Sequence, residues 1–380
     1  MSNYELIATS AFGLESLVSK ELKRLGFENL NVENGKVTYR SDEEGICKSN
    51  LWLRCADRVF IKLGEFKAFS FEELFQGVKG IDWQGILEED GQIIVNAKSV
   101  KSQLFSLSDI QSISKKAIIE KLKLSYKREL FEESGSKFPI LISIFKDTVT
   151  VLLDTSGVAL HKRGYRERGN EAPLKETLAA ALVILSNWRY STAFIDPCCG
   201  SGTIPIEAAL IARNIAPGLN RKFACEKWEQ ITSPEVWKKV RKDAYEKIYY
   251  DKDFNIFGYD IDDRSIKIAR ENAEMAGVDD IIHFQERPVQ EFGTQYKYGT
   301  IVTNPPYGER LSEKEDVEYL YKVMGKVFKN LETWSYHIIT SNENFEKKFG
   351  KQATKNRKLY NGRIRCYYYQ YIGPKPSKKL

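Results

Sequence analysis

The amino-acid sequence predicts an α/β fold: an open, mostly parallel sheet with helices on both faces, preceded by an N-terminal half of mixed α+β elements. Three observations support this prediction. Strand and helix patterns alternate from residue 192 to residue 340, a glycine-rich turn follows the first of these strands, and the N-terminal elements run β-α-β-β-α-β. At 380 residues the chain has room for two or three domains.

The N-terminal residues 1–66 predict one small unit. Residues 4–9 alternate as a strand does, and apolar residues then recur at helical spacing until Gly26 ends the helix. Asn34-Gly35 is a two-residue hairpin signal, and Asp42 can cap a second helix before a last strand at residues 58–66. This order is that of a ferredoxin-like unit.

A second α+β module is predicted over residues 67–155. Ser70 can cap its first helix, a strand and a long helix from Ser108 follow, and a hairpin turns at Lys146-Asp147. The module carries no obvious catalytic cluster, so we interpret it as a binding module.

Residues 156–171 are rich in glycine and basic residues and predict a linker, and residues 172–380 predict the third domain. An alanine- and leucine-rich helix follows Pro173, after which strands and helices alternate as in an open α/β sheet. The predicted strands are residues 192–196, 256–259, 281–285, 299–303 and 336–340, with helices over 204–212 and 263–276.

Composition and charge exclude several classes of protein. No apolar run is long enough to span a bilayer and the first nine residues lack a secretory pattern, so we expect a cytoplasmic protein with no membrane partner. The six cysteines and three histidines are scattered, so no metal is expected. The net charge is +6, and nine lysines and arginines but no acid lie beyond residue 349. This stretch suits phosphate contacts, as does a second basic cluster, Lys162, Arg163, Arg166 and Arg168.

The first motif with chemical meaning runs from Phe194 to Thr203, where a strand ends at Asp196 and a helix begins. Gly200 and Gly202 can adopt positive φ and let a ligand approach the backbone closely. Ligands of open α/β sheets bind at the carboxyl ends of the strands, where Asp196 can accept a hydrogen bond. The lysine of a phosphate-binding P-loop is missing, so phosphate binding is not expected, and a purely structural turn is the alternative.

A second acid, Asp260, directly follows the next predicted strand in the run Gly258 to Asp262. In Rossmann-like sheets an acid at this place binds ribose hydroxyls. Asp262 is instead expected to cap the helix that follows.

The third motif is Asn304-Pro305-Pro306-Tyr307, which follows an apolar strand. The two prolines force an extended exit, which leaves the Asn304 side chain and the Pro305 carbonyl facing the crevice. Both are acceptors and can hold the two hydrogens of an amino group. Tyr307 offers a face for stacking a base that is flipped out or unpaired. For this motif alone, a plain strand-to-turn exit is the alternative.

Together the three motifs resemble class I methyltransferases of the N-P-P-Y group, which methylate exocyclic amines of nucleic-acid bases. Nearly the whole chain is similar to THUMP-domain RNA methyltransferases, in particular to bacterial 23S rRNA guanine-N2 methyltransferases. The further matching segments are Asn50-Leu51-Trp52-Leu53-Arg54, Gly80-Ile81-Asp82-Trp83, residues 161–166, residues 172–176 and Leu359-Tyr360-Asn361-Gly362.

The resemblance implies a Rossmann-like class I methyltransferase domain preceded by ferredoxin-like and THUMP domains. It implies S-adenosylmethionine as cofactor, S-adenosylhomocysteine as product and RNA as partner. The implied catalytic residues are Asn304, Pro305, Pro306 and Tyr307, and the implied cofactor-binding residues are Asp196, Cys198, Gly200, Ser201, Gly202, Thr203, Asp260, Ile261 and Asn304. One position departs from the family, because Pro288 stands where many relatives have an acid that contacts the adenine amine.

Three alternatives share the same motifs. A tRNA guanine-N2 methyltransferase has the same architecture, whereas a DNA adenine-N6 methyltransferase would need a target-recognition domain in place of the THUMP-like half. A non-catalytic RNA-binding assembly factor is disfavoured by the intact Asn304 to Tyr307 motif. We expect in-line methyl transfer with no metal and no covalent intermediate, since positioning supplies much of the rate.

Overall fold

The computed structural model describes residues 3–166, 174–308 and 314–375. These residues form two compact units. The first contains the described parts of residues 1–10, 18–160 and 222–243, and the second contains those of residues 11–17, 161–221 and 244–380. Residues 222–243, which belong to the predicted third domain, therefore pack with the N-terminal elements.

A mixed sheet of seven strands organises the first unit, with the strand order β2-β3-β1-β4-β7-β6-β5. The elements in this part of the chain are β1 (Tyr4–Thr9), α1 (Glu15–Arg24), β2 (Asn31–Glu33), β3 (Lys36–Ser41), α2 (Glu43–Trp52), β4 (Arg58–Lys67), α3 (Phe71–Lys79), β5 (Gln92–Val100), α4 (Leu107–Tyr126), β6 (Lys137–Phe145) and β7 (Thr148–Asp154).

Local sequence signals explain most of these elements. The hairpin between β2 and β3 turns at Asn34-Gly35, where Gly35 has a φ of 77°. Asp42 caps α2 by accepting from the Gly45 N–H at 3.0 Å, and Ser70 with Glu73 forms a capping box on α3. The predicted order β-α-β-β-α-β is confirmed, and β1 pairs antiparallel with both β3 and β4.

The two predicted N-terminal modules share one sheet. Strand β4, the last of the ferredoxin-like elements, pairs antiparallel with β7 from Phe60 opposite Asp154 to Lys67 opposite Thr148. Strand β7 pairs in turn with β6, and β6 pairs in parallel with β5. The sheet is thus continuous from β2 to β5, with a register shift between Lys62 and Gly64 in the β4–β7 pairing.

The second unit contains another seven-stranded sheet, with the order β10-β9-β8-β11-β12-β14-β13. The remaining elements of the chain are α5 (Glu176–Ser186), β8 (Phe194–Asp196), α6 (Thr203–Ala212), α7 (Pro234–Glu246), β9 (Ile256–Asp260), α8 (Asp263–Ala276), β10 (Ile282–Glu286), β11 (Thr300–Thr303), α9 (Lys314–Lys329), β12 (Ser335–Thr340), α10 (Phe345–Phe349), β13 (Lys355–Asn361) and β14 (Ile364–Tyr371).

The predicted open parallel sheet is confirmed for β8 to β12, which are all parallel to one another. The two C-terminal strands, β13 and β14, pair antiparallel and were not predicted. An aromatic core packs against this sheet, and its largest side chains include Tyr321, Phe328 and Phe345. Within the described residues, no helix has the length and apolar character needed to cross a membrane.

Candidate active site

The three sequence motifs meet at one edge of the second sheet. Strand β8 lies between β9 and β11 and is parallel to both, so Asp196, Asp260 and Thr303 end neighbouring strands on the same side. The order of strands reverses at β8, because its neighbour β9 is the next strand along the chain whereas its neighbour β11 comes two strands after β9. Ligands of open α/β sheets bind outside such a switch point.

The glycine-rich turn after β8 requires glycine at both predicted positions. Gly200 and Gly202 have φ values of 52° and 83°. A Cβ at Gly202 would also lie 3.0 Å from the Cβ of Ala269 and from the ring of Phe284. The Cys199 N–H donates to the Tyr259 carbonyl at 2.8 Å, which ties the turn to the end of β9. The turn is therefore fixed next to Asp260.

Two carboxylates face this turn in different environments. Asp196 is 1% exposed, and burial raises its pKa to about 7, although the Thr303 hydroxyl and the Cys198 N–H oppose the shift. Asp260 accepts from the Gly200 N–H at 2.8 Å and from the Asp262 N–H at 3.1 Å, and burial raises its pKa as well. A ligand that brings a positive charge or a hydroxyl group would therefore stabilise the ionised form of both acids.

The other implied cofactor residues differ in exposure. Ser201 and Thr203 are buried, and the Ser201 carbonyl accepts from the Asn272 side chain at 3.0 Å. Cys198 is partly buried, and burial raises its pKa well above the ordinary value, so its thiol stays protonated. Ile261, directly after Asp260, is 68% exposed. It therefore presents an apolar surface beside the acid.

Asp262 caps α8, as the sequence predicted. Its carboxylate accepts from the N–H groups of Arg264 and Ser265, both at 3.2 Å. Pro288, which stands where the resemblance implies an acid in many relatives, precedes a short 3₁₀ turn, Val289–Glu291. The Arg287 N–H donates to the Asp260 carbonyl at 2.8 Å, so the end of β10 is tied to the end of β9.

The Asn-Pro-Pro-Tyr segment leaves β11 and folds back on its own asparagine. The Tyr307 hydroxyl donates to Asn304 Oδ1 at 2.7 Å and accepts from the Cys366 thiol at 3.6 Å. Burial raises the pKa of Tyr307 above its ordinary value. Pro305 is buried, whereas Asn304 is partly exposed. Asn304 is thus partly accessible to solvent, and its side-chain oxygen accepts a hydrogen bond from Tyr307.

Sequence reasoning missed one residue that supports this segment. Tyr321 on α9 is fully buried, and its hydroxyl donates to the Pro306 carbonyl at 3.0 Å. The same hydroxyl lies 2.8 Å from the Thr340 hydroxyl at the end of β12. No local pattern reveals this contact, because Tyr321 reads as one of several apolar positions of an amphipathic helix.

The structure pairs two arginines of the second basic cluster with buried acids, although this cluster was expected to contact phosphates. Arg163 is 3% exposed, and its Nε lies 3.4 Å from the fully buried Glu207. Arg166 pairs with Glu176 at 3.3 Å and donates to the Thr203 hydroxyl. Both guanidinium groups are therefore neutralised inside the second unit, because a buried charge needs a partner. Lys162 is exposed, and Arg168 lies outside the described residues.

A Rossmann-like sheet with a glycine turn after β8, an acid after β9 and Asn-Pro-Pro-Tyr after β11 defines a class I methyltransferase. Comparison with known families agrees. An RMKL-like methyltransferase domain matches residues 163–370, an RlmL ferredoxin-like domain matches residues 5–60 and a THUMP domain matches residues 68–154. The chain belongs to the family of RMKL-like methyltransferases with these N-terminal domains, which confirms the resemblance predicted from its motifs.

Relatives match along the whole chain. The "Putative RNA methyltransferase YpsC" of Bacillus subtilis (strain 168) is 52% identical over 382 residues, or 100% of this chain and 99% of that protein. A solved structure described as "a predicted N6-adenine-specific DNA methylase" from Listeria monocytogenes is 50% identical, with a TM-score of 0.94 over 98% of this chain and 97% of that one. SMU.472, "a putative methyltransferase complexed with SAH", is 46% identical, with a TM-score of 0.94 over 99% of this chain and 100% of that one.

Proposed function

We propose that this chain transfers a methyl group from S-adenosylmethionine to the exocyclic N2 amine of a guanine in RNA, with 23S rRNA as the substrate. The observation that carries the proposal is the meeting of three strand ends at one sheet edge. The acceptors of Asn304 and Pro305, which follow β11, are proposed to face the same crevice as the glycine turn and Asp260. Since the substrate is ribosomal RNA, the proposed compartment is the cytoplasm.

The residues at this edge fit the cofactor. The turn at Gly200 and Gly202 lets a ligand lie against the backbone, and Asp196 is a buried carboxyl suited to an amino group. Asp260 is proposed to accept from ribose hydroxyls, and the exposed Ile261 offers an apolar face to an adenine ring. Three further residues of the turn are proposed to line the cofactor site, namely Cys198, Ser201 and Thr203.

When bound, S-adenosylmethionine supplies a methyl group already activated by its sulfonium. The protein's own part is positioning. Asn304 Oδ1 and the Pro305 carbonyl accept the two amine hydrogens, which aims the nitrogen lone pair and stabilises the positive charge that develops on nitrogen. Tyr307 and Pro306 are proposed to line the base pocket, and Tyr307 to stack on the base. The hydrogen bond from the Tyr321 hydroxyl to the Pro306 carbonyl is proposed to restrain the Asn-Pro-Pro-Tyr segment.

Binding of the RNA is proposed for the N-terminal half, where the THUMP match lies, with Lys162 and Arg168 as candidate phosphate contacts. The proposed division of the chain remains residues 1–66, 67–155, 156–171 and 172–380.

The test is methyl transfer from labelled S-adenosylmethionine to unmodified ribosomal RNA, tRNA and DNA, followed by nucleoside mass spectrometry. The proposal expects N2-methylguanosine in ribosomal RNA. Asn304→Ala should abolish transfer, whereas Asn330→Ala, at an exposed asparagine, should not. N2-methylguanosine in tRNA alone would overturn the choice of RNA, and N6-methyladenine in DNA would overturn the choice of nucleic acid. Full activity of Asn304→Ala would overturn the role of Asn304.

A further inference from the structure

Three phenylalanines are exposed at one end of the sheet in the first unit. Phe69, Phe105 and Phe145 have exposed fractions of 49%, 81% and 53%. Phe145 is the last residue of β6, and the other two lie in the connections that follow β4 and β5. Scattered single apolar residues on a surface need no explanation, but several rings at one place mark an interaction site.

The connections that carry these rings are joined through Asp147, in the turn after Phe145. Its carboxylate accepts from the Gln103 N–H at 2.7 Å, and its own N–H donates to the Ser102 hydroxyl at 3.1 Å. Its carbonyl accepts from the Ala68 N–H at 3.1 Å. The loops after β4, β5 and β6 therefore form one connected surface with a defined shape.

The same surface is basic. Lys67, Lys101 and Lys146 are all exposed, and the Lys67 ammonium donates to the Lys146 carbonyl at 2.9 Å. The Lys146 ammonium lies 5.4 Å from the centre of the Phe145 ring. Among the described residues none of these three ammonium groups forms an ion pair, so their charges remain available to a ligand.

Two acids lie beside these residues, and the carboxylates of both are hydrogen-bonded to backbone N–H groups of the protein. The Glu73 carboxylate accepts from the N–H groups of Phe69 and Ser70 as part of the α3 cap, and the Asp147 carboxylate accepts from the Gln103 N–H. We call Phe69, Phe105, Phe145, Lys67, Lys101 and Lys146 the Phe-Lys patch.

We propose that the Phe-Lys patch binds unpaired RNA, whose bases stack on the three rings while its phosphates contact the three lysines. Flat apolar faces beside unpaired cations match the two components of a single strand. A duplex hides the faces of its bases, so the patch selects single-stranded segments over helices. This inference rests on the proposed function in that RNA is taken to be the substrate, and it assigns the segment of RNA that the first unit holds.

The test measures binding of the full-length protein to a fluorescently labelled RNA 12-mer and to its duplex form. Phe105→Ala and Phe145→Ala should each weaken binding to the single strand by about tenfold, since stacking contributes about 1–3 kcal/mol per base. Duplex binding should change less than twofold. Tyr245→Ala, which removes a ring that is 51% exposed outside the patch, is the matched control and should bind as the wild type does.

A second readout separates stacking from charge. A 2-aminopurine in the RNA should be quenched on binding, and the quenching should be lost in Phe105→Ala. Lys101→Gln and Lys146→Gln should keep the quenching but lower the salt dependence of log K by about 0.7 each. Lys329→Gln, at an exposed lysine of α9, should leave the slope unchanged.

Equal losses for single strand and duplex would overturn the choice of unpaired RNA. Unchanged RNA affinity in the phenylalanine variants would overturn the proposal that the patch binds RNA. If these variants also shifted from dimer to monomer in sedimentation, the patch would be a protein interface instead. None of these results would bear on methyl transfer to rRNA. Absence of methyl transfer despite normal binding to the 12-mer would instead count against the proposed function and leave the patch in place.

Discussion

The Tyr307 hydroxyl donates a 2.7 Å hydrogen bond to Asn304 Oδ1, three residues earlier in the chain. The Tyr307 hydroxyl also accepts from the Cys366 thiol, so it meets Asn304 as a donor and the amide oxygen faces it. A carbonyl oxygen has two lone pairs, so one remains for a substrate amine. In addition to offering its ring, Tyr307 therefore orients the acceptor that the proposed reaction uses.

We expect Tyr307→Phe to lower kcat by about three- to tenfold with little change in KM for RNA. The ring remains available for stacking, while one hydrogen bond of about 0.5–1.5 kcal/mol is lost. Steady-state kinetics with Tyr319→Phe as control test this, since Tyr319 is 61% exposed on α9. A rise in KM at constant kcat would show that the hydroxyl serves binding rather than orientation.

The buried Asp196 should make stability depend on pH. Burial raises its pKa from 3.8 to about 7, so the folded protein binds more protons than the unfolded chain between these values. The free energy of unfolding therefore falls as pH rises from about 4 to about 7. Asp196→Asn should raise it by about 2–4 kcal/mol at pH 8, at ~1.4 kcal/mol per pKa unit. Denaturant titrations at pH 5 and 8 measure this.

The same residue should show the opposite dependence in ligand binding. If Asp196 binds the amino group of S-adenosylmethionine as a carboxylate, affinity should rise as pH increases through about 7. Asp196→Asn should bind weakly at every pH. A wild-type affinity that does not change between pH 5.5 and pH 8, measured by calorimetry, would contradict this role.

Ile261→Ala should weaken binding of S-adenosylmethionine about three- to tenfold and leave the melting temperature unchanged. The side chain is 68% exposed, so its removal costs the fold little, whereas an adenine ring would lose part of its apolar contact. Met275→Ala, at a side chain 51% exposed on α8, is the matched control. Equal effects of the two substitutions would show that Ile261 has no special contact with the cofactor.

Glu207→Gln should destabilise the protein by about 3–5 kcal/mol, because it removes the carboxylate that pairs with the buried Arg163. Glu33→Gln is the control, since the side chains of Glu33 and its partner Lys36 are 47% and 37% exposed and the pair should contribute at most about 1 kcal/mol. Replacing both buried partners, as Arg163→Met with Glu207→Leu, should recover much of the loss. Thermal and denaturant unfolding give all three values.

The sequence predicts those features that local patterns determine. Strand alternation, caps such as Asp42 and Ser70, and the turn at Asn34-Gly35 each depend on a few neighbouring residues, and the structure confirms them. The sheet edge that unites Asp196 with Asp260 follows from the alternation of strands and helices, since parallel strands end on one side.

Features that depend on distant partners were not predicted. The charge of Arg163 suggested a phosphate contact, but its partner Glu207 lies 44 residues away, and only the fold brings them together. Tyr307 meets Cys366 across 59 residues for the same reason. Three helices, α7, α9 and α10, and the strands β13 and β14 were overlooked, and the packing of residues 222–243 with the first unit carries no local signal.

The pairing of β4 with β7 limits how the N-terminal half can be divided. Each strand covers the polar backbone edge of the other from Phe60 to Lys67, so a cut between the two family-defined modules would leave both with an unprotected edge. A fragment beginning at residue 67 should therefore aggregate or dimerise through β7, although it contains a complete THUMP sequence.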